Sequence, residues 1–313
     1  MDTSMATPQD HLIKAVEDEI KMSQRVTQEL IYRRNALVPI LRLPPETLVE
    51  IFSLLPFAAD DSEYVPHLAW IRVTHVCHRW REIALCSPCL WNHISFTKLT
   101  PTAIIEILAR AKMSPLHFEG EITARSKARS NALGRQLKAH ISHTRHLTIS
   151  GEFHTVLGRL KSPTPALVSL SLTRSRRPYI SSQCIIPDSL FNGTAPKLTR
   201  LELLGCSIGW KSPLLKGLRN LKMKPPPAEE TPELEDWLDA LNEMSQLKTL
   251  ILDNATPDKT FDDPHIPEPQ RTVTLPSLTH FDITAPAMDC RTRTSRVACS
   301  HFAARDRRIS MVW

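Results

Sequence analysis

Residues 198–206 read Leu-Thr-Arg-Leu-Glu-Leu-Leu-Gly-Cys. Because side chains alternate along an extended chain, the leucines at 201 and 203 share one side of a short strand. The same spacing, apolar-x-x-apolar-x-apolar, recurs at Leu167, Leu170 and Leu172, at Leu218, Leu221 and Met223, at Leu247, Leu250 and Leu252, and at Leu278, Phe281 and Ile283. A weaker copy ends in Leu147 and Ile149. Successive copies start 31, 20, 29 and 31 residues apart. Helical patterns lie between them: 101–112 with Ile104, Ile105 and Leu108, 130–142 with Leu133, Leu137 and Ile141, and 232–245 with Leu234, Trp237, Leu238 and Leu241. In the last of these, Thr231 is placed to cap and Pro232 to take the first helical position. A strand-sized motif alternating with helices at this period predicts an irregular α/β solenoid over 96–290, in which each unit buries its apolar face only against its neighbours.

Upstream the grammar is helical. Residues 9–36 contain neither Pro nor Gly and are rich in Glu, Lys, Gln and Arg, which predicts a helix within an N-terminal segment 9–40, after a disordered lead at 1–8. Ile13, Val16, Ile20 and Leu30 fall on a 3.5-residue seam, with Ser23 and Thr27 at its other two positions, so a coiled coil and a single helix leaning on the next domain are both open. In 41–95, Pro44 and Pro45 prepare a helix start and Glu46 sits where the helix dipole favours a negative charge. Leu48, Ile51, Phe52 and Leu55 then form one apolar stripe. A polar loop with Asp60, Asp61, Ser62 and Glu63 precedes a second helical stretch, which aligns Trp70, Val73, Val76, Cys77, Trp80, Ile83 and Ala84 on one face and ends at Pro88 before Leu90 and Trp91. A unit this small builds only a marginal core. The expected fold class is α+β: an N-terminal helix, a small all-α unit, then the solenoid.

Composition removes several function classes. The chain has 313 residues and 42% hydrophobic content, ordinary for a folded protein, but only 8 glycines. Neither G-x-G-x-x-G nor G-x-x-x-x-G-K-[ST] occurs, so no Gly-rich phosphate cradle is expected, and no cofactor. No apolar run reaches the roughly 18 residues of a membrane span, and the polar amino terminus resembles no secretory signal. Seven scattered cysteines argue for a reducing compartment, so cytoplasm or nucleus is expected. The net charge of +6 is concentrated in 291–313, where six arginines stand against Asp306, leaving the remainder close to neutral. No nucleic-acid-binding face is therefore expected for the folded part, and the basic tail reads as disordered.

Leu43-Pro44-Pro45-Glu46, followed by Leu48, Ile51 and Phe52, then Val76-Cys77-His78-Arg79-Trp80 and Leu90-Trp91, resembles an F-box. The version is one often found in fungal proteins, in which a short helix precedes the F-box and leucine-rich repeats follow. Leu198-x-x-Leu-x-Leu-x-x-Cys206 is similar to the leucine-rich repeat template, with Cys in its terminal polar slot. The resemblance implies docking on a Skp-type adaptor, and through it a cullin scaffold with a RING subunit, while the repeat region holds an unidentified protein substrate. It implies no bond chemistry, only tethering that raises effective concentration. The adaptor-binding residues it implies are Leu43, Pro44, Pro45, Glu46, Leu48, Ile51, Phe52, Val76, Trp80, Leu90 and Trp91. By the physical reading, Leu43, Pro44, Leu48, Ile51 and Phe52 form an apolar surface that a partner covers, whereas Val76, Trp80, Leu90 and Trp91 pack the core. The loop 56–66 is longer than a minimal F-box needs, and 291–313 either trails as a disordered tail or does not continue the family's sequence.

Three other patterns compete with this reading. Gly205-Cys-Ser207-Ile-Gly209 matches the G-x-S-x-G nucleophile elbow, which makes a serine hydrolase at Ser207 a remote alternative, although the Pro213 that follows interrupts the helix an elbow requires. Cys86-x-x-Cys89 with Cys77, His78 and His93 offers zinc-type ligands, but no second C-x-x-C follows and no metal is expected. The acidic run Glu229, Glu230, Glu233, Glu235 and Asp236 suits a solvated helix start. A non-catalytic repeat scaffold that binds the adaptor without ubiquitylation is the nearer alternative.

Overall fold

The computed structural model describes residues 8–58, 66–122, 127–174, 184–226, 233–253, 255, 272–284 and 309–312. The chain divides into two compact units, 1–87 and 88–313. The expected boundary at 95/96 falls inside the second.

The first unit begins with α1 (Pro8–Ala36), the helix expected from the Pro- and Gly-free stretch. Residues 9–31 are exposed throughout, including Leu12, Ile13, Val16, Ile20 and Leu30, so within the single chain α1 does not lean on a neighbouring domain over this length. A 3₁₀ turn at Pro39–Arg42 leads to α2 (Pro45–Ala58), opened by Pro45 at its first position and a Leu48 N–H to Pro44 carbonyl bond of 3.2 Å. The second helical stretch is not one helix. Pro66–His75 is 3₁₀, the chain extends at Cys77 (φ −159°, ψ 166°), and α3 (His78–Cys86) starts afresh. That break turns Val76 off the buried face, and it is 61% exposed where a core position was expected.

The second unit is built on an eight-stranded sheet. Its strands in spatial order are β1 (His93–Ser95), β2 (Leu116–Ile122), β3 (Thr144–Gly151), β4 (Ser169–Thr173), β6 (Arg200–Leu204), β8 (Asn220–Lys224), β9 (Thr249–Asp253) and β11 (His280–Thr284), all paired in parallel. Between them run the short pair β5 (Ile185–Ile186) with β7 (Ser207–Ile208), and β10 (Thr272–Leu275) pairs antiparallel with β12 (Ile309–Val312). β12 lies within the basic segment 291–313.

The repeated triplets align rung by rung. Leu147, Leu170, Leu201, Leu221, Leu250 and Phe281 stand in register, and two residues on Ile149, Leu172, Leu203, Met223, Leu252 and Ile283 do the same. From Leu147 to Leu252 these positions are buried, while the alternate ones are not, so the sheet has one covered face and one open face. Helices supply the covering apolar side chains. α4 (Pro101–Ala111), capped by the Thr100 hydroxyl accepting from the Ala103 N–H, buries Ile104, Ile107, Leu108 and Ala111; Ile105, expected inside, is exposed. α5 (Lys127–His140) buries Leu133 and Leu137, and α6 (His154–Leu157) buries Val156 and Leu157. α7 (Leu234–Glu243) buries Trp237, Leu238 and Leu241, and its N-cap is Glu233; the expected roles of Thr231 and Pro232 lie outside the described residues. Two ends of the repeated units show why particular residues are needed. Gly151 has φ +92° and backs onto the Ile122 carbonyl so closely that a Cβ has no room. Cys206 is buried and its thiol donates to the Leu172 carbonyl at 3.7 Å, so the polar slot of the repeat closes a backbone bond to the preceding strand.

Candidate functional site

The expected docking residues of the first unit separate into an inner and an outer set. Leu48 and Phe52 are 0% exposed, which corrects the expectation that they form partner-facing surface. The physical reason is packing: α2, α3 and the 3₁₀ stretch enclose them, with Phe52 meeting Trp80 at 5.2 Å between ring centroids and Trp70 and Ala84 also buried. Leu43 is half-buried, and Pro44, Pro45 and Glu46 are exposed. Ile51 is 37% exposed and Leu54, absent from the expected set, is 64% exposed. At about 100° per residue, Ile51 and Leu54 lie about 60° apart around α2, beside the buried stripe, and Pro44 stands immediately before its first turn. An apolar ledge results. The signal for Leu54 was its place three residues after Ile51, hidden because the strongest periodicity belongs to the buried side.

The ledge is anchored at its start. Arg79, at the first turn of α3, donates from Nη2 to the Leu43 carbonyl at 2.9 Å, which fixes the Leu-Pro-Pro-Glu segment against α3. His78 Nδ1 lies 3.2 Å from the Glu82 carboxylate, and its ring meets Tyr32 edge-on at 5.2 Å. Desolvation, then the negative charge of Glu82, pushes the Tyr32 hydroxyl above its ordinary range. Trp80 is half-buried, and its indole N–H is enclosed without an acceptor among the described residues.

Leu90 and Trp91 belong to the second unit, where both are buried in a 3₁₀ turn at Pro88–Trp91. The Arg110 guanidinium lies over the Trp91 ring at 4.9 Å, a cation–π contact from α4.

The competing patterns fare differently. Ser207 sits in the two-residue strand β7, its N–H bonded to the Cys184 carbonyl at 3.0 Å, and a 3₁₀ turn at Pro213–Leu215 follows instead of a helix. This corrects the elbow reading, since nothing there aims a serine from a strand-to-helix turn. Cys77, Cys86 and Cys89 are free thiols, and among the described residues no group of three or more His, Cys, Asp or Glu could hold a metal ion. Among those residues no helix is long and apolar enough to cross a membrane. Of the acidic run, Glu235 and Asp236 begin α7, where Asp236 pairs with Lys211 at 2.9 Å.

Comparison with known proteins bears on the helical segment. Residues 40–97 match a family model described as F-box-like. The chain is similar to F-box/LRR-repeat protein 12 of Homo sapiens, at 32% identity over 83 residues, which make up 26% of this chain and 22% of that protein. The match thus spans about one fifth of that relative's length. No solved structure matches at the same stringency. Residues 40–97, the stretch that contains the ledge, are an F-box-like domain.

Proposed function

We propose that the chain is a substrate receptor of a Skp–cullin–F-box ubiquitin ligase. Its F-box, taken as 41–95, docks on a Skp-type adaptor, and its sheet unit, read as an irregular leucine-rich-repeat-like solenoid of the kind found in fungal F-box proteins, holds the protein to be modified. The chain performs no bond chemistry; it places a substrate lysine near a charged ubiquitin-conjugating enzyme. The observation that supports this reading best is the coincidence of the F-box-like match with a helical unit that leaves Pro44, Ile51 and Leu54 uncovered.

In this reading Leu43, Pro44, Pro45, Glu46, Ile51 and Leu54 meet the adaptor directly, and Val76 adds an exposed apolar edge. Leu48, Phe52 and Trp80 act from behind by holding α2 in place. The test is co-purification of a Skp-type adaptor with the full chain. Leu43→Ala with Pro44→Ala abolishes it while helical circular dichroism stays nearly intact. Retained adaptor binding in that variant refutes the interface. Affinity purification with and without proteasome inhibition then separates ligase receptor from scaffold, because a receptor's cargo accumulates only under inhibition.

A further inference from the structure

The open face of the sheet is electrostatically one-sided along the strands. The outward rung that runs in register from His93 on β1 to His280 on β11 contains no Asp or Glu. Its fixed cation is Arg200, and His93, His117 and His146 stack across β1, β2 and β3 with 4.3 Å between successive ring centroids. One residue earlier in the chain, Arg145, Arg219 and Lys248 continue the backbone ladder: the Val168 N–H reaches the Arg145 carbonyl at 2.8 Å, the Arg219 N–H that of Thr199 at 2.8 Å and the Lys248 N–H that of Arg219 at 2.7 Å. Arg145, Arg200, Arg219 and Lys248 are all exposed, and among the described residues none is in an ion pair. The carboxylates come in the next rungs, at Glu119, Glu202 and Asp282 and then Glu121 and Asp253. There the cations are neutralised, Lys222 by Glu202 at 2.8 Å and Lys224 by Asp253.

We propose that this N-terminal margin of the sheet is the docking track for an acidic, Asp- and Glu-rich extended segment of a partner protein. The inference rests on the receptor reading above and names the class of cargo. The fixed cations span β3 to β9, four strand spacings or about 19 Å, which matches about six residues of extended chain. Convergence of positive charge is felt at His146, which burial first, and Arg145 and Arg200 after it, push below the ordinary histidine range. A nucleic acid fits less well. His117 is flanked by the rings of His93 and His146, so its faces are closed to base stacking.

The test uses the full chain and a labelled twelve-residue peptide alternating Glu and Ser, read by fluorescence anisotropy at low and moderate salt. Matched peptides with Gln or Lys in place of Glu, and a single-stranded RNA, are run beside it. The acidic peptide binds in a salt-sensitive way and loses about tenfold or more in affinity when Arg200→Glu is combined with Lys248→Glu, whereas Lys222→Gln leaves binding unchanged. Should the double variant melt early, Arg200→Gln alone is used and a smaller loss in the same direction is expected. Equal binding of the Gln peptide overturns the proposal, as does tighter binding of RNA that the same substitutions remove. Adaptor co-purification from the same preparations keeps the two readings apart. Peptide binding absent with adaptor binding intact overturns the track alone, and the reverse pattern overturns the receptor reading alone.

Discussion

Phe52 on α2 and Trp80 on α3 meet with ring centroids 5.2 Å apart and planes tilted by 56°, and this contact divides the apolar residues of α2 into those that hold the unit together and those left for a partner. Phe52→Ala removes a fully buried aromatic and is expected to cost about 3–5 kcal/mol, seen as loss of the first unit's cooperative melt. Ile51→Ala and Leu54→Ala, on the open side, are each expected to change stability by no more than about 0.5 kcal/mol. Equal effects from the two classes would contradict the division.

Gly151→Ala tests the close approach at the end of β3. The residue has φ +92° and the Ile122 carbonyl occupies the space a Cβ needs, so strain and displacement act together. A loss of about 1–3 kcal/mol in thermal or urea unfolding of the full chain is expected. Gly217, also at positive φ but with open space around it, should tolerate alanine better.

Acid sensitivity should be concentrated near the start of β3. Burial pushes His140, His143 and His146 below the ordinary histidine range, helped by His143 at His140, and both ring nitrogens of His143 are enclosed without a partner among the described residues. The unfolded chain then binds more protons than the folded one, so stability is retained above about pH 6.5 and declines as pH falls through that value. Melting temperature should drop between about pH 7.5 and 5.5, and His143→Leu should shrink the drop. An unchanged drop in that variant would assign it elsewhere.

The exposed seam of α1 gives a fourth expectation. Ile13→Lys with Val16→Lys should leave the melting temperature of the full chain nearly unchanged, each within about 0.5 kcal/mol, because both side chains face solvent. A larger loss would mean that the seam is covered in solution.

Much of the sheet could be read from the residues, and the reasons are specific. An apolar residue at the fourth and sixth places of each copy marks a two-residue period, and those positions became the buried rungs from β3 to β9. β1 and β2 escaped notice because β1 is three residues with Ile94 as its one aliphatic side chain, and β2 places Gly120 where the pattern asks for leucine. A Cβ there would make a tight contact, 3.2 Å from that of Phe96. The break at Cys77 was equally hidden, since neither Pro nor Gly marks it, and with it went the orientation of Val76. In the candidate site, periodicity identified the apolar stripe of α2 without telling its covered side from its open edge. That distinction depends on α3 and the 3₁₀ stretch, whose packing is a tertiary fact.

The central claim is that the open edge of α2 is surface completed by a Skp-type adaptor. Titration calorimetry of purified adaptor against the full chain and against Ile51→Glu with Leu54→Glu tests it most directly, with melting temperature measured on the same samples. The account predicts that the double variant melts like the parent and loses adaptor affinity by about a hundredfold or more, as expected when charge enters the apolar centre of an interface. Unchanged affinity in a variant that remains folded would contradict it.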